Sequence, residues 1–333
     1  MPSKHHDPTK PTVYLDQSTL SDAFRAHHSG IGRLADPAYL PLRQWIGRVA
    51  VEANLCISSV HLLELASWVA DEPMADAICA WLDALPTVPV ASLQRVQVAE
   101  EEAWVLRAMR VEAQKLDPFL PSVAALFPIA PDVSQRLMSR PQPLVALLVA
   151  MRNLRGRYDH LAPDHAARVR ADRAAPEHAH VTPELGASIV ELHHRQDLGR
   201  RATSAAQRLR SSGMLSASCT DQQVLHYAFA SYDSDRSELP LYRIQKAYGK
   251  GLAEGIERRT AGSSKDAKAL SGAAEDGLHL VGAAYCDVFT CDRATSLSIG
   301  DVRVRVGRTP QLAVGGHPGG VGGFVRDLMA TWP

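Results

Sequence analysis

The sequence has no excess of charge of one sign: its 333 residues contain 36 Lys and Arg against 36 Asp and Glu. Net charge therefore does not indicate a nucleic-acid partner, and any basic surface must be a local patch. The sequence also lacks a long hydrophobic run. The longest, Leu144 to Met151, is far shorter than a membrane-spanning helix, so no membrane partner is expected.

The N-terminal segment MPSKHHDPTKP is polar and has no apolar stretch of the kind that secretory signal peptides carry. The five cysteines form an odd, scattered set, which argues against a disulfide framework. Two of them, Cys56 and Cys291, fall in predicted core strands, where a free thiol behaves as a small hydrophobic group. We therefore expect a cytoplasmic protein in a reducing compartment.

Strand and helix patterns alternate in two separate parts of the chain. Short runs rich in β-forming residues occur at 12–16, 54–58 and 87–90, and amphipathic helical patterns follow the first two. Strand patterns return only at 287–291 and at 302–306, where VRVRV is typical of an edge strand. This alternation predicts an α/β fold with one parallel sheet flanked by helices.

A long helical region separates the two α/β parts. Its Ala, Arg, Leu and Glu-rich segments are broken by prolines, with a predicted loop at 162–182 and a predicted linker at 260–272. The predicted boundaries are 10–90 for the first half of the α/β domain, 91–264 for a helical insertion, 265–312 for the second half, and 313–333 for a Gly-rich tail with a short helix.

Four carboxylates stand at the ends of the predicted α/β elements. Asp16 and Asp292 follow strands, Glu64 lies early in a helix and Asp276 lies at a helix N-terminus. The carboxyl ends of parallel strands share one edge of a sheet, so these four acids are expected to converge there. Clustered carboxylates repel unless a cation compensates, and Mg²⁺ or Mn²⁺ prefers oxygen ligands. The pattern thus predicts a metal site suited to hydrolysing phosphodiesters.

Each acid also has an ordinary structural interpretation. Asp16 can cap the next helix, Asp276 can complement the helix dipole, and Asp292 can be a turn residue. Glu64 can be a solvated helix residue, although the leucines around it leave little polar face.

Further residues near these motifs are candidates for auxiliary roles. Ser18 could hydrogen-bond a carboxylate, a metal-bound water or a phosphate, and Asp22 is a candidate for lining the site. We expect His279 to pack at a helix interface and Asp287 to be structural, because it begins a strand at the far end from Asp292.

The helical region contains a candidate phosphate-binding face. A helical wheel places four basic side chains within an arc of about 120°; they are His193, Arg200, Arg201 and Arg208. Such a face could bind nucleic acid. The alternative is a solvated helix face.

The four motifs, in this order, resemble those of the PIN-domain ribonucleases, which include the VapC-like toxins of bacterial toxin–antitoxin pairs. The D-x-[ST]-x-L motif matches from Asp16, S-x-x-x-x-E-L from Ser59, D-x-x-H-x-x-x-A from Asp276 and T-x-D-R from Thr290. The match covers residues 12–90 and 274–310. The resemblance implies a PIN-like fold, with Asp16, Glu64, Asp276 and Asp292 as metal-binding and catalytic acids.

It further implies an endoribonuclease that cleaves single-stranded RNA with Mg²⁺ or Mn²⁺. Two alternatives stay open: a DNA or structure-specific nuclease of the same fold, and a non-catalytic PIN-like binding scaffold. A VapC-like role implies an antitoxin-like protein that covers the site, and a homodimer is a further candidate assembly. The resemblance does not account for the helical insertion.

Overall fold

The computed structural model describes residues 4–28, 35–66, 72–114, 116–126, 183–257, 276–291, 295, 299 and 311–314. Several predictions fall outside these residues. They are the loop at 162–182, the linker at 260–272, the edge strand at 302–306, Asp292, and the predicted tail beyond 314.

In the described part of the chain, five short parallel strands form one sheet in the order β3-β2-β1-β4-β5. The strands are β1 (Thr12–Tyr14), β2 (Asn54–Ile57), β3 (Val88–Pro89), β4 (Val288–Cys291) and β5 (Gln311–Val314). Every residue of β1 to β4 is buried. Continuous apolar runs of this kind are typical of parallel strands covered on both faces, and the predicted α/β class with a parallel sheet is confirmed.

Strand β5 forms one edge of the sheet. It pairs in parallel with β4, placing Leu312 opposite Phe289. A strand at these positions was not predicted from the sequence, and the strand predicted at 302–306 lies outside the described residues.

Helices pack against the sheet between its strands. They are α1 (Gln17–Phe24), α2 (Leu40–Glu52), α3 (Ser59–Ala66) and α4 (Glu72–Asp83), and a 3₁₀ turn at Pro37–Tyr39 leads into α2. The apolar residues of α2 recur at helical spacing, and that face is buried while Val51 on the other side is exposed. This arrangement matches the predicted amphipathic helices.

The helical region begins with α5 (Leu93–Ala108) and continues through α6 (Pro183–Ser211), α7 (Asp221–Ser234) and α8 (Pro240–Glu257); a 3₁₀ turn at Val123–Leu126 lies between α5 and α6. A capping box starts α7, in which Thr220 and Gln223 satisfy each other's backbone N–H groups. The chain then returns to the sheet through α9 (Leu280–Tyr285), which precedes β4.

The buried apolar residues of the described ranges form two clusters. The first surrounds the sheet, and the second lies among α5, α6, α7 and the start of α8. Helix α8 contributes to both, since Leu241 and Ile244 belong to the first cluster and Tyr242 to the second. The helical region thus has its own core but is joined to the sheet by α8. Among the described helices, none combines the length and apolar composition needed to cross a bilayer.

Candidate functional site

Asp16 joins the carboxyl ends of two neighbouring strands. It follows β1 and caps α1, where its Oδ1 accepts the backbone N–H of Thr19 at 3.2 Å and the Thr19 hydroxyl. The Thr290 hydroxyl, on β4, donates to the same Oδ1 at 2.7 Å, and the Asp16 N–H donates to Thr290 Oγ1 at 2.7 Å. Three donors therefore fix one carboxylate oxygen between β1 and β4.

The place where these strands meet is the switch point of the sheet. After β1 the chain moves to β2 on one side, whereas after β4 it moves to β5 on the other. In open parallel sheets, ligands bind beyond the carboxyl ends of the strands at such a switch point. The Asp16–Thr290 contact lies at these strand ends.

Glu64 is a buried acid on the helix that follows β2. It is 7 % exposed, and its helix neighbours Leu62 and Leu65 are completely buried. Its Oε2 lies 3.0 Å from Nε2 of His279, in the turn before α9. The interpretation of Glu64 as a solvated helix residue is therefore wrong, because its side chain points into the protein.

Three more polar side chains extend this contact; they are Tyr14, Ser58 and His61. Tyr14 Oη lies 2.9 Å from both His279 Nδ1 and Ser58 Oγ. The His61 ring accepts the Ser58 backbone N–H through Nδ1 at 2.9 Å. Its Nε2 lies 2.5 Å from the Leu15 carbonyl oxygen. A continuous polar chain thus connects β1, α3 and the turn before α9.

Burial governs the protonation of this chain. Desolvation, together with the nearby His279, lowers the pKa of His61 to about 3, so its ring is neutral near pH 7. Desolvation also raises the pKa of Tyr14 well above its ordinary value, so its hydroxyl stays protonated. Both groups act as neutral hydrogen-bonding partners.

Asp276 lies in a helical turn that precedes α9. Its carbonyl oxygen accepts the His279 N–H at 3.1 Å, and the residue is half-buried. The approach of Asp276 to the sheet edge that carries Asp16 stays a prediction.

The described residues include three of the four acids predicted to bind metal. Asp16, Glu64 and Asp276 are oxygen donors, and such donors suit Mg²⁺ or Mn²⁺. Within the described ranges, however, no three or more His, Cys, Asp or Glu side chains are grouped closely enough to hold a metal ion. Asp292 lies outside those ranges. The carboxylate oxygens are the type of ligand that these cations prefer. That they form one coordination shell stays a prediction.

The auxiliary candidates near Asp16 have different surroundings. Ser18 lies in α1, and its side chain is outside the described part of the structure. Asp22 Oδ1 lies 3.5 Å from Nη1 of Arg25, which also donates to the Tyr39 hydroxyl at 3.1 Å. The Asp22 side chain is 34 % exposed, so it forms a surface ion pair with Arg25.

Two of the three arginines predicted to bind phosphate join α6 to α5. Arg201 donates to Glu101 at 2.7 Å and to Asp197 at 2.9 Å. Arg208 donates to Glu102 at 2.6 Å and to Glu101 at 3.2 Å. These contacts give both side chains a structural role between helices.

Arg200 is the exposed member of the set. Its side chain is 79 % exposed and pairs with Asp197 at 3.0 Å. It lines a groove of about 540 Å³ together with His193, Gln196 and Thr203 of α6 and Leu225 of α7. Of the predicted basic face, Arg200 and His193 are therefore the residues that reach this groove.

Sequence reasoning missed several residues beside Asp16 and Glu64. Tyr14, Ser58 and His61 of the polar chain, and Thr290 beside Asp16, were not predicted as site residues, and His279 was expected only to pack. The available signal was polar residues within apolar runs, as in the VHLLEL segment that contains His61. Asp287 has the expected structural role, since its Oδ2 accepts the N–H and hydroxyl of Thr12, each at 2.8 Å.

Comparison with known proteins identifies no relative: no family model, no curated protein and no solved structure matches this chain.

Proposed function

We propose that this chain is a PIN-like, metal-dependent endoribonuclease that hydrolyses phosphodiester bonds in single-stranded RNA. The observation that carries the proposal is the pair of hydrogen bonds between Asp16 and Thr290 at the switch point of the sheet. Asp16 thus stands at the strand ends where ligands of open parallel sheets bind. The T-x-D-R motif that contains Thr290 continues to Asp292.

Asp16, Glu64, Asp276 and Asp292 would hold one or two Mg²⁺ or Mn²⁺ ions. When bound, such a cation activates water for attack on phosphorus and stabilises negative charge on the leaving oxygen. The protein's own contribution is to fix the acids beforehand. Thr19 and Thr290 hold one oxygen of Asp16, and burial restricts the Glu64 side chain to one direction.

A non-catalytic binding scaffold is the second candidate, and one observation favours it. Asp16 has all the contacts of an ordinary N-cap, because its Oδ1 accepts the Thr19 N–H at the start of α1. An aspartate is common in this position without any metal. Cleavage activity, and not the cap geometry, separates the two candidates.

The groove next to Arg200 is the proposed contact for the nucleic-acid backbone. Arg200 and His193 line this groove, and a guanidinium and an imidazole are side chains that can contact phosphate. The same chemistry would serve a DNA or structure-specific nuclease. For a VapC-like role, an antitoxin-like protein would cover the proposed metal site.

Asp16→Asn tests the proposed activity. Asparagine caps helices about as well as aspartate, so α1 should persist while the negative charge is lost. We expect the purified variant to lose Mn²⁺-dependent cleavage of single-stranded RNA by at least about 100-fold, with little change in its melting temperature. Matched single-stranded DNA and hairpin RNA substrates measure the preference.

Asp36→Asn is the matched control. Asp36 caps the 3₁₀ turn at Pro37–Tyr39 by accepting the Ala38 N–H at 2.9 Å, and α1 separates it from Asp16. The same change of chemistry is thus made at a cap outside the proposed site, and cleavage should persist. If Asp16→Asn cleaves RNA at the wild-type rate, the proposed function is wrong.

A further inference from the structure

The hydrogen bonds of the polar chain have donors and acceptors that can be assigned, beginning with the His61 ring. Since Nδ1 of His61 accepts the Ser58 N–H, the ring hydrogen lies on Nε2 and is donated to the Leu15 carbonyl oxygen. His61 therefore fixes the loop between β2 and α3 against the end of β1. This places the Ser58 hydroxyl beside that of Tyr14.

The same reasoning assigns the hydrogens of His279. Its Nε2 faces Glu64 Oε2 at 3.0 Å, and a carboxylate only accepts, so this nitrogen carries hydrogen and donates. The other nitrogen, Nδ1, lies at hydrogen-bond distance from the Tyr14 hydroxyl, 2.9 Å away. Both ring nitrogens are thus committed to protein groups, which excludes His279 as a direct metal ligand in this arrangement.

His279 is itself held rigidly. It is 2 % exposed, and its ring lies edge-on to Tyr14 at 5.6 Å and tilted against His61 at 4.9 Å between ring centroids. Tyr14 belongs to the central strand and is completely buried. The side chain that donates to Glu64 is therefore packed against a buried residue of the central strand.

We propose that His279, supported by Tyr14, positions the Glu64 carboxylate for the cation without binding the cation itself. This inference rests on the proposed function, because it assigns Glu64 to a metal site. A glutamate has three rotatable bonds, and holding one oxygen with a fixed donor directs the other oxygen and reduces the ordering needed on metal binding. His279 is thus a positioning residue and not a catalytic one.

Two substitutions at position 279 separate positioning from packing. In His279→Gln, the amide nitrogen can reach roughly the place of Nε2 and keep the donor to Glu64. In His279→Asn, the shorter amide reaches roughly the place of Nδ1, keeping the contact to Tyr14 and losing the one to Glu64. Both replace a buried ring by a smaller amide, so their packing losses are similar.

The measurement is the Mn²⁺ dissociation constant of the full chain by calorimetry, with melting temperatures recorded without metal. We expect His279→Asn to weaken Mn²⁺ binding by about 10- to 100-fold and His279→Gln by only a few-fold. Equal losses in both variants, or no loss in either, would overturn the inference. Tyr14→Phe, which keeps the ring packing and removes one hydroxyl, should give a smaller loss and serves if the 279 variants do not fold.

Two further variants distinguish failure of this inference from failure of the proposed function. Asp16→Asn and Glu64→Gln should each weaken Mn²⁺ binding strongly. If the wild-type chain binds no Mn²⁺, or if both acid variants bind it as the wild type does, then the metal site is wrong and the inference falls with it. If the acid variants lose Mn²⁺ while both 279 variants keep wild-type affinity, only the positioning role is wrong.

Discussion

The sheet region and the helical region treat a buried glutamate differently. Glu64 and Glu101 are almost equally buried, at 7 % and 6 % exposed. Glu101 lies between two permanent cations, with Arg201 at 2.7 Å and Arg208 at 3.2 Å. Glu64 instead accepts from His279, which is charged only if protonated. The helical region balances its buried acid with its own arginines, whereas the sheet region supports its acid with an imidazole.

This difference is informative because a buried carboxylate is unfavourable unless it is compensated. Two arginines already pair with Glu101, so an added cation would stabilise this carboxylate little further. The His279 partner of Glu64 is an imidazole, which is charged only if protonated. The comparison therefore sets a structural ion pair beside an acid of similar burial that we propose binds a cation.

The largest expected effect on stability comes from a substitution in the sheet region, at Gly282. A Cβ at this position would lie 2.4 Å from Cγ of Tyr14, so α9 approaches the central strand as closely as only glycine allows. Gly282→Ala should lower the free energy of unfolding by about 3 kcal/mol through overpacking. It should also move His279 away from Glu64 and weaken Mn²⁺ binding.

Gly249→Ala is the control for that change. Gly249 lies in α8, is exposed, and has no atom within 4 Å of an added Cβ. Here alanine should stabilise the helix by up to about 1 kcal/mol. Urea unfolding of both variants measures the contrast, and a Gly282→Ala chain as stable as the wild type would contradict the close approach.

Much of the fold that holds Gly282 could be predicted from the sequence. β1, β2 and β4 appear as apolar runs because both faces of the sheet are covered, and Asp16 could be recognised because it ends such a run. The contact of α9 with Tyr14 could not be predicted. It depends on which strands are neighbours in the sheet, and no local pattern encodes that order.

The arginines of α6 show the same limit of prediction from sequence. Helical spacing correctly placed Arg201 and Arg208 on one face of α6. It could not reveal that α5 packs against this face and presents Glu101 and Glu102 to it. Periodicity predicts which residues share a face, whereas the partner of that face depends on tertiary packing over about a hundred residues of chain.

A pH-dependent effect is expected at Glu100, which connects the two regions. Its carboxylate accepts from the backbone N–H groups of Leu241 and Tyr242 at 2.8 and 3.2 Å, and from the Tyr285 hydroxyl at 2.6 Å. It thus caps α8 and holds the end of α9. Burial outweighs these donors and raises the pKa of Glu100 to about 7 from 4.5.

The native state therefore binds this proton more tightly than the unfolded chain. The resulting stabilisation is fully present below pH 4.5 and is lost as the pH rises through about 7. Glu100→Gln should remove about 2 kcal/mol of the stability difference between roughly pH 5 and pH 8. Denaturant unfolding at both pH values measures it. The exposed Glu112→Gln should leave the difference unchanged, and an unchanged difference in Glu100→Gln would contradict the raised pKa.

Paired substitutions at Glu101 and Glu64 test the comparison directly. Glu101→Gln leaves Arg201 and Arg208 without their shared charge and should destabilise the metal-free chain by about 1–2 kcal/mol, since both arginines are partly exposed to water. Glu64→Gln keeps an acceptor for His279 and removes a buried charge, so the metal-free chain should change by less than about 1 kcal/mol. Only Glu64→Gln should abolish stabilisation by Mn²⁺. Equal destabilisation by both changes would remove the distinction between the two regions.

The smallest effect is expected at Asp22, an auxiliary candidate in α1. Its ion pair with Arg25 spans 3.5 Å, and the two side chains are 34 % and 18 % exposed. Pairs of this kind contribute about 0.5 kcal/mol or less, so Asp22→Asn should barely change the urea midpoint. Because Arg25 already neutralises this carboxylate, Mn²⁺ affinity should also stay within about twofold of the wild type. A tenfold loss of Mn²⁺ affinity would instead place Asp22 in the metal site and extend the sheet-edge cluster along α1.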